Sequence, residues 1–229
     1  MKKGKLIVIC GTDGSGKGTQ TELLVQRLKK EGHDIKKTDF PQYGNKSAFM
    51  VEEYLNGKFG SAQEVGPYRA SIFYAIDRYY ASFQMKKWLD EGKIIISNRY
   101  VSANLGHQGG KIKDKEERKK YVEWVLDLEY NIFGIPRPDL NIFLHVPSAV
   151  AQKLVDKKGD REYIKDKMKK RDIHEDDINH LKDAEDAYLQ VCNSNKNWVR
   201  IDCTKDGKLL GIDAISAMIW KIVDKELNS

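Results

Sequence analysis

The stretch Gly11-Thr12-Asp13-Gly14-Ser15-Gly16-Lys17-Gly18-Thr19-Gln20 follows directly on the apolar run Leu6-Ile7-Val8-Ile9-Cys10. A short buried strand that turns through glycines into an amphipathic helix aims several backbone N–H groups at one concavity, where the helix dipole adds positive potential. Glycines there admit close approach of backbone to oxygen, which a Cβ would block. Lys17 then reaches the outer phosphates of a nucleoside triphosphate as a mobile point charge. The strict pattern has Ser or Thr directly after the lysine, to hold magnesium. Here Gly18 takes that place and Thr19 follows one step later. The stretch reads as a nucleotide-phosphate site.

The remaining chain alternates as such a loop requires. Leu23, Leu24 and Leu28 mark a helix over 21–31, and 35–39 reads as a strand ended by Pro41. Met50, Val51, Tyr54 and Leu55 suggest a short helix, and a long one runs from Tyr68 to about Glu91 after Gly66-Pro67. Residues 94–97 form a buried strand with Asn98-Arg99-Tyr100 at its carboxyl end, and Gly106-His107-Gln108-Gly109-Gly110 reads as a loop. Tyr121 to Leu128 is helical, 140–146 a strand and 148–156 a helix. A charged run, 157–175, precedes a helix to Cys192, a strand over 198–202 and a final helix over 209–227. Strands alternating with helices imply a mainly parallel sheet with right-handed crossovers, which binds ligands beyond its strands' carboxyl ends. Gly11, Asp39, Asn98 and the chain after Val146 all fall on that edge.

At 229 residues the chain suits a single domain spanning 1–229, with no repeat and no linker. Charged residues make up 32% and mean hydropathy is −0.62, so no segment reads as membrane-spanning. Three cysteines, Cys10, Cys192 and Cys203, fit reduced thiols, and the absence of a signal-like segment points to the cytoplasm. A net charge of +6 favours anionic partners. The lysines are dispersed rather than grouped with aromatics, which argues for polyphosphate ligands and against nucleic acid.

Four segments in order, Gly11–Gln20, Phe40-Pro41-Gln42-Tyr43-Gly44, Phe73-Tyr74-Ala75-Ile76-Asp77-Arg78 and Asn98-Arg99-Tyr100-Val101-Ser102-Ala103-Asn104, with Gly134-Ile135-Pro136-Arg137-Pro138-Asp139-Leu140 beyond them, resemble the thymidylate kinase family. The resemblance implies an α/β P-loop NTPase-type sandwich with a five-stranded mainly parallel sheet, helices on both faces and a mobile lid over about 157–175. It implies transfer of the γ-phosphoryl group of ATP to dTMP, giving dTDP and ADP with Mg2+, by a chain that is a homodimer. Gly11, Asp13, Gly14, Ser15, Gly16, Lys17, Gly18 and Thr19 would bind ATP, with Arg161 or Arg171 of the lid. Lys17, Arg99 and Asp13 would be catalytic: Lys17 on the donor phosphates, Arg99 bridging donor and acceptor, and Asp13 near the acceptor sugar. Phe40, Pro41, Tyr43, Tyr74, Arg78, Asn104, His107 and Gln108 would join Asp13 and Arg99 around dTMP. Tyr74 would be the stacking platform, and Arg78, four residues along the same helix face, would donate to a base carbonyl. A cis Phe40–Pro41 bond is compatible with the segment.

Three residues depart from the family pattern. Asn98 stands where relatives have Asp, so its support of hydrated Mg2+, shared with Thr19, loses a charge, and Asn98→Asp is expected to raise activity at limiting magnesium. Gln42 stands where relatives often place arginine toward the acceptor phosphate, and His107 where an aromatic is frequent. Two alternatives stay open at this point: another (deoxy)nucleoside monophosphate kinase, or, given Asn98 and Gly18, a low-activity nucleotide-binding regulator.

Overall fold

The computed structural model describes residues 3–155 and 178–228. Five strands, β1 (Lys5–Cys10), β2 (Ile35–Asp39), β3 (Ile94–Asn98), β4 (Leu140–His145) and β5 (Trp198–Asp202), form one sheet in the order β2-β3-β1-β4-β5. Every pair in it is parallel. The expected five-stranded parallel core is therefore present. The expected bounds of β2 and β5 coincide with the strands found.

The central strands read as continuous apolar runs because both faces are covered. Leu6, Val8 and Cys10 of β1, Ile95 of β3 and Phe143 of β4 point into one core, with residues of α3 (Ala62–Asp90), α5 (Lys115–Leu126) and α7 (Ile178–Ser194). Ile7 and Ile9, Ile94 and Ile96, and Ile142 and Leu144 point into the other. That second core takes α1 (Lys17–Lys30), α6 (Ser148–Val155) and α8 (Ile212–Leu227). The alternation follows from the two-residue period of a strand. Asp139 closes the start of β1 by accepting the Leu6 N–H at 2.7 Å.

The long helix begins earlier than its apolar spacing suggested. Ser61 and Glu64 form a reciprocal capping box, starting α3 at Ala62. Gly66, at φ +73°, breaks the helix, and Pro67 restarts it as the first residue of the main rod. A short helix α2 (Phe49–Leu55) packs on that rod through Tyr54, which meets the rings of Phe73 and Tyr74.

Two sequence expectations are corrected. The expected loop at 106–110 is helical: α4 (Val101–Ala103) runs into a wide π-type turn, Asn104–Gln108, and a tight turn, Gly109–Lys111. Its glycines serve packing, not turning. A Cβ on Gly106 would lie 2.1 Å from the Tyr188 ring, and one on Gly110 would lie 2.7 Å from the Asp183 backbone, both on α7. The final helix starts at Ile212 rather than Leu209, because residues 204–209 form a small hairpin of β6 (Thr204–Lys205) and β7 (Lys208–Leu209).

Candidate active site

The glycine loop leaves β1 at its carboxyl end and enters α1 through Gly16, whose φ of +78° is a left-handed conformation suited to glycine. Lys17 is buried, and its Nζ donates to Thr12 O at 3.0 Å and to Asp13 Oδ1 at 3.3 Å. Arg99 reaches the same Asp13 Oδ1 through Nη2, from 86 residues away in sequence. One carboxylate oxygen thus accepts from both cations.

Arg99 is one of two non-glycine residues at positive φ among those described, at +62°. That conformation costs on the order of 1–3 kcal/mol and survives where its surroundings over-determine it. Here the Arg99 N–H donates to Ile9 O at 2.9 Å, and Ser97 Oγ donates to Arg99 O at 2.6 Å. The strain aims the side chain off the end of β3 toward the phosphate loop. Burial alone would pull the guanidinium pKa down, but the Asp13 carboxylate holds it charged.

On the β2 side, Asp39 and Asn98 are register partners at adjacent strand ends. Asn98 Nδ2 donates to both Asp39 oxygens, at 2.9 and 3.0 Å. The amide nitrogen must face the carboxylate, so Oδ1 turns away as a buried acceptor with no hydrogen bond among the described residues. Burial raises the Asp39 pKa, against the lowering effect of Asn98, Arg99 and Lys17. A carboxylate thus stands beside position 98 on the neighbouring strand, in Asp39. This reverses the expected sign for Asn98→Asp, which would set two carboxylates face to face.

The oxygen donors suit Mg2+. Among the described residues no three His, Cys, Asp or Glu side chains gather as a metal cage. Mg2+ takes few protein ligands beside substrate phosphates, and the orphaned Asn98 Oδ1 beside Asp39 offers such a place. Thr19 is exposed in the first turn of α1.

The other residues expected around the acceptor lie on the Phe-Pro segment, α3 and the wide turn. The Phe40–Pro41 bond is cis, and Phe40 is buried against Tyr100 as part of the core. Gln42 does not stand in for an arginine: its N–H and Nε2 donate to Asp77 at 2.8 and 3.1 Å, and Ser47 Oγ adds a third bond at 2.6 Å. Buried Asp77 thereby ties the Phe-Pro segment to α3. Tyr43 stays exposed, while Tyr74 is half-buried edge-on to Tyr54.

Arg78 is fully buried, a placement its expected base contact did not anticipate. Its Nε and Nη2 donate to Glu129 Oε2 and Oε1 at 2.6 and 2.7 Å. Asn104 Nδ2 donates to the same Oε1 at 3.1 Å and to Ser71 O at 3.2 Å. Gln108 Oε1 accepts from Lys111 Nζ at 2.7 Å. His107 is buried, stacks on His180 and lies 3.5 Å from Arg99 Nη1 through Nε2. Burial, with the nearby Arg99 and His180, holds its pKa well below the ordinary imidazole value, so the ring is neutral.

The family model described as thymidylate kinase matches residues 9–210. The chain belongs to the thymidylate kinase family. Like other members of the thymidylate kinase family, it is a kinase using ATP and Mg2+. It is 29% identical over 147 residues to the thymidylate kinase of Mycobacterium tuberculosis, covering 64% of this chain and 68% of that one. To the thymidylate kinase of Plasmodium falciparum it is 26% identical over 204 residues, covering 89% and 84%. The solved thymidylate kinase of Candida albicans shares the fold, with a TM-score of 0.76 at 22% identity over 99% of this chain and 93% of that one.

Within this thymidylate kinase fold, Asp13, Lys17 and Arg99 meet, Arg78 and Asn104 share Glu129, and His107 lies beside Arg99, while Tyr74 packs on Tyr54 and Gln108 bonds Lys111. The expected lid, 157–175, with Arg161 and Arg171, lies outside the described residues. Among the described residues no helix is long and apolar enough to cross a membrane. Sequence reasoning put Asp39 on the binding edge and Asp77 in a family segment without giving either a role, and it did not single out Glu129. A signal for Glu129 exists: Tyr121, Val125 and Glu129 follow at four-residue spacing, so an acid interrupts a buried stripe.

Proposed function

We infer that this chain moves the γ-phosphoryl group of ATP to the 5′-phosphate of dTMP, with Lys17 and Arg99 compensating the charge between the two ligands. The observation that carries this reading is the convergence of both cations on Asp13 Oδ1. Phosphoryl transfer needs alignment and charge compensation more than covalent chemistry. The loop amides and Lys17 would cradle the donor phosphates. Arg99, whose planar fork suits paired oxygens, would span γ-phosphate and acceptor phosphate. The acceptor oxygen is already ionised, so no general base is required, in keeping with a neutral His107. Asn98 Oδ1, Asp39 and Thr19 are the candidates to hold hydrated Mg2+, which when bound neutralises the β- and γ-oxygens.

A coupled ADP-release assay over dTMP, dUMP, dGMP and UMP tests this, with dTMP expected to give the highest kcat/KM. Preference for a purine would overturn the substrate assignment. ATP binding without acceptor-dependent ADP would leave a regulator instead. Arg99→Met is expected to lower kcat by on the order of a thousandfold, in line with arginines that stabilise this transition state.

The homodimer also has support in one surface. Ile72, Ile76, Tyr80 and Phe83 line the outer face of α3 at helical spacing, each more than a third exposed. A contiguous apolar stripe of this kind suits a second copy of the chain. Sedimentation should give a dimer, and Phe83→Lys should shift it to monomer.

A further inference from the structure

We propose that Glu129 is a positioning residue that sets the donor–acceptor polarity of the edge reading the acceptor base. The inference rests on the dTMP-kinase reading of the site and deepens it. Glu129 and Arg78 are among the most enclosed charged side chains described, at 0% and 1% exposure. A buried ion pair is weak evidence for stability, since apolar residues of similar volume often serve as well. Its retention beside a ligand site calls for another reason, and the hydrogen bonds supply one.

Glu129 Oε1 accepts from Arg78 Nη2 and from Asn104 Nδ2, so the two side chains flank one oxygen. Asn104 Nδ2 has acceptors on both its hydrogens, Glu129 Oε1 and Ser71 O. Turning the amide over would set Oδ1 against a carboxylate and a carbonyl. The amide is thereby locked with Oδ1 as its remaining group, an acceptor. Arg78 has spent Nε and Nη2 on Glu129, and Nη1, a donor, remains without a hydrogen bond among the described residues. A donor and an acceptor are left side by side, and the same carboxylate dictates which is which.

The backbone is shaped to bring these groups together. Asn104 opens one wide π-type turn and Glu129 sits within another, Asp127–Ile132. Such turns are uncommon, and they gather at functional sites. Tyr121 braces the arrangement: its hydroxyl lies 2.6 Å from Ser71 Oγ and donates to Asn104 O at 3.1 Å.

The polarity matches a pyrimidine whose ring N–H stands beside a carbonyl, as in thymine. It opposes cytosine, which presents a ring acceptor beside an amino donor. A neutral residue at 129 would free the Asn104 amide to turn over and Arg78 to leave its place, so discrimination would fall as well as affinity.

The test measures kcat and KM for dTMP and dCMP with ATP, for the wild-type protein and Glu129→Gln, together with the thermal midpoint of each. Wild type should strongly prefer dTMP over both dCMP and N3-methyl-dTMP, whose methyl group removes the N–H. Glu129→Gln should raise the KM for dTMP tenfold or more, with a smaller change in kcat, and cut the dTMP:dCMP ratio of kcat/KM at least tenfold. Should that variant prove too unstable to assay, Glu129→Asp is read by the same ratio, because its shortened carboxylate cannot reach both partners. An unchanged ratio in the assayable variant overturns the proposal, whatever happens to stability, as does wild-type indifference to N3-methylation. Phosphorylation of no nucleoside monophosphate at all would instead sink the kinase reading beneath it.

Discussion

Asp39 and Asn98 show how a residue's meaning changes with its neighbour. Alone, Asn98 looks like a lost carboxylate; opposite Asp39 it is the half of a pair that keeps two acids apart. Asn98→Asp is therefore expected to lower activity, since it sets a second carboxylate against Asp39 and pushes both carboxyl pKa values up. The exchange Asp39→Asn with Asn98→Asp should recover much of the loss, giving a coupling of about 1–3 kcal/mol in a double-mutant cycle. Additive losses would show the two side chains to be independent. His107 yields a pH prediction. Its folded pKa lies well below that of the unfolded chain, so below about pH 6.5 the unfolded state gains a proton that the folded state refuses. Stability contributed at neutral pH is then lost as pH falls, by up to about 1.4 kcal/mol per unit. Asp39, with a raised pKa, contributes the opposite slope. Subtracting the thermal-midpoint profile of His107→Gln from that of wild type isolates the histidine, and parallel profiles would refute the assignment. The phosphate loop and Arg99 were legible in sequence because their chemistry is tied to a strand end. Glu129 and Asp77 were not, since their roles depend on partners tens of residues away.

At the scale of elements, buried periodicity was a good guide and glycine an ambiguous one. Strands β1, β3 and β4 stand within a residue of where their apolar runs place them, because a strand between two covered layers has few alternatives. Gly106 and Gly110 look like loop residues, yet the backbone there is helical and α7 lies close against both. Nothing local distinguishes a glycine needed for a turn from one needed for a neighbour's ring. Gly106→Ala should accordingly destabilise the fold by about 2 kcal/mol or more, as overpacking into Tyr188 demands. Gly18→Ala, with nothing within 4 Å of the added carbon, should barely move the thermal midpoint. Chemical denaturation of both variants checks the contrast, and equal losses would show that close approach is not what the helical turn requires.

Across the whole molecule, the sheet lines up its carboxyl ends so that β1 carries the donor loop while β2 and β3 deliver Asp39, Asn98 and Arg99 beside it. The long rod α3 connects this edge with the protein's outer surface. Tyr74, Asp77 and Arg78 stand on its inner side, and Ile72, Ile76, Tyr80 and Phe83 on its outer side. A partner seated on that outer stripe would press on the same turns of helix that carry the proposed base contacts. Assembly and substrate capture then share a single mechanical part. The apparent KM for dTMP should rise as the protein is diluted through its dissociation range, and Phe83→Lys should hold it at the high value at every concentration. A KM indifferent to dilution would mean that the rod is stiff enough to insulate its two sides, and that each subunit works as though alone.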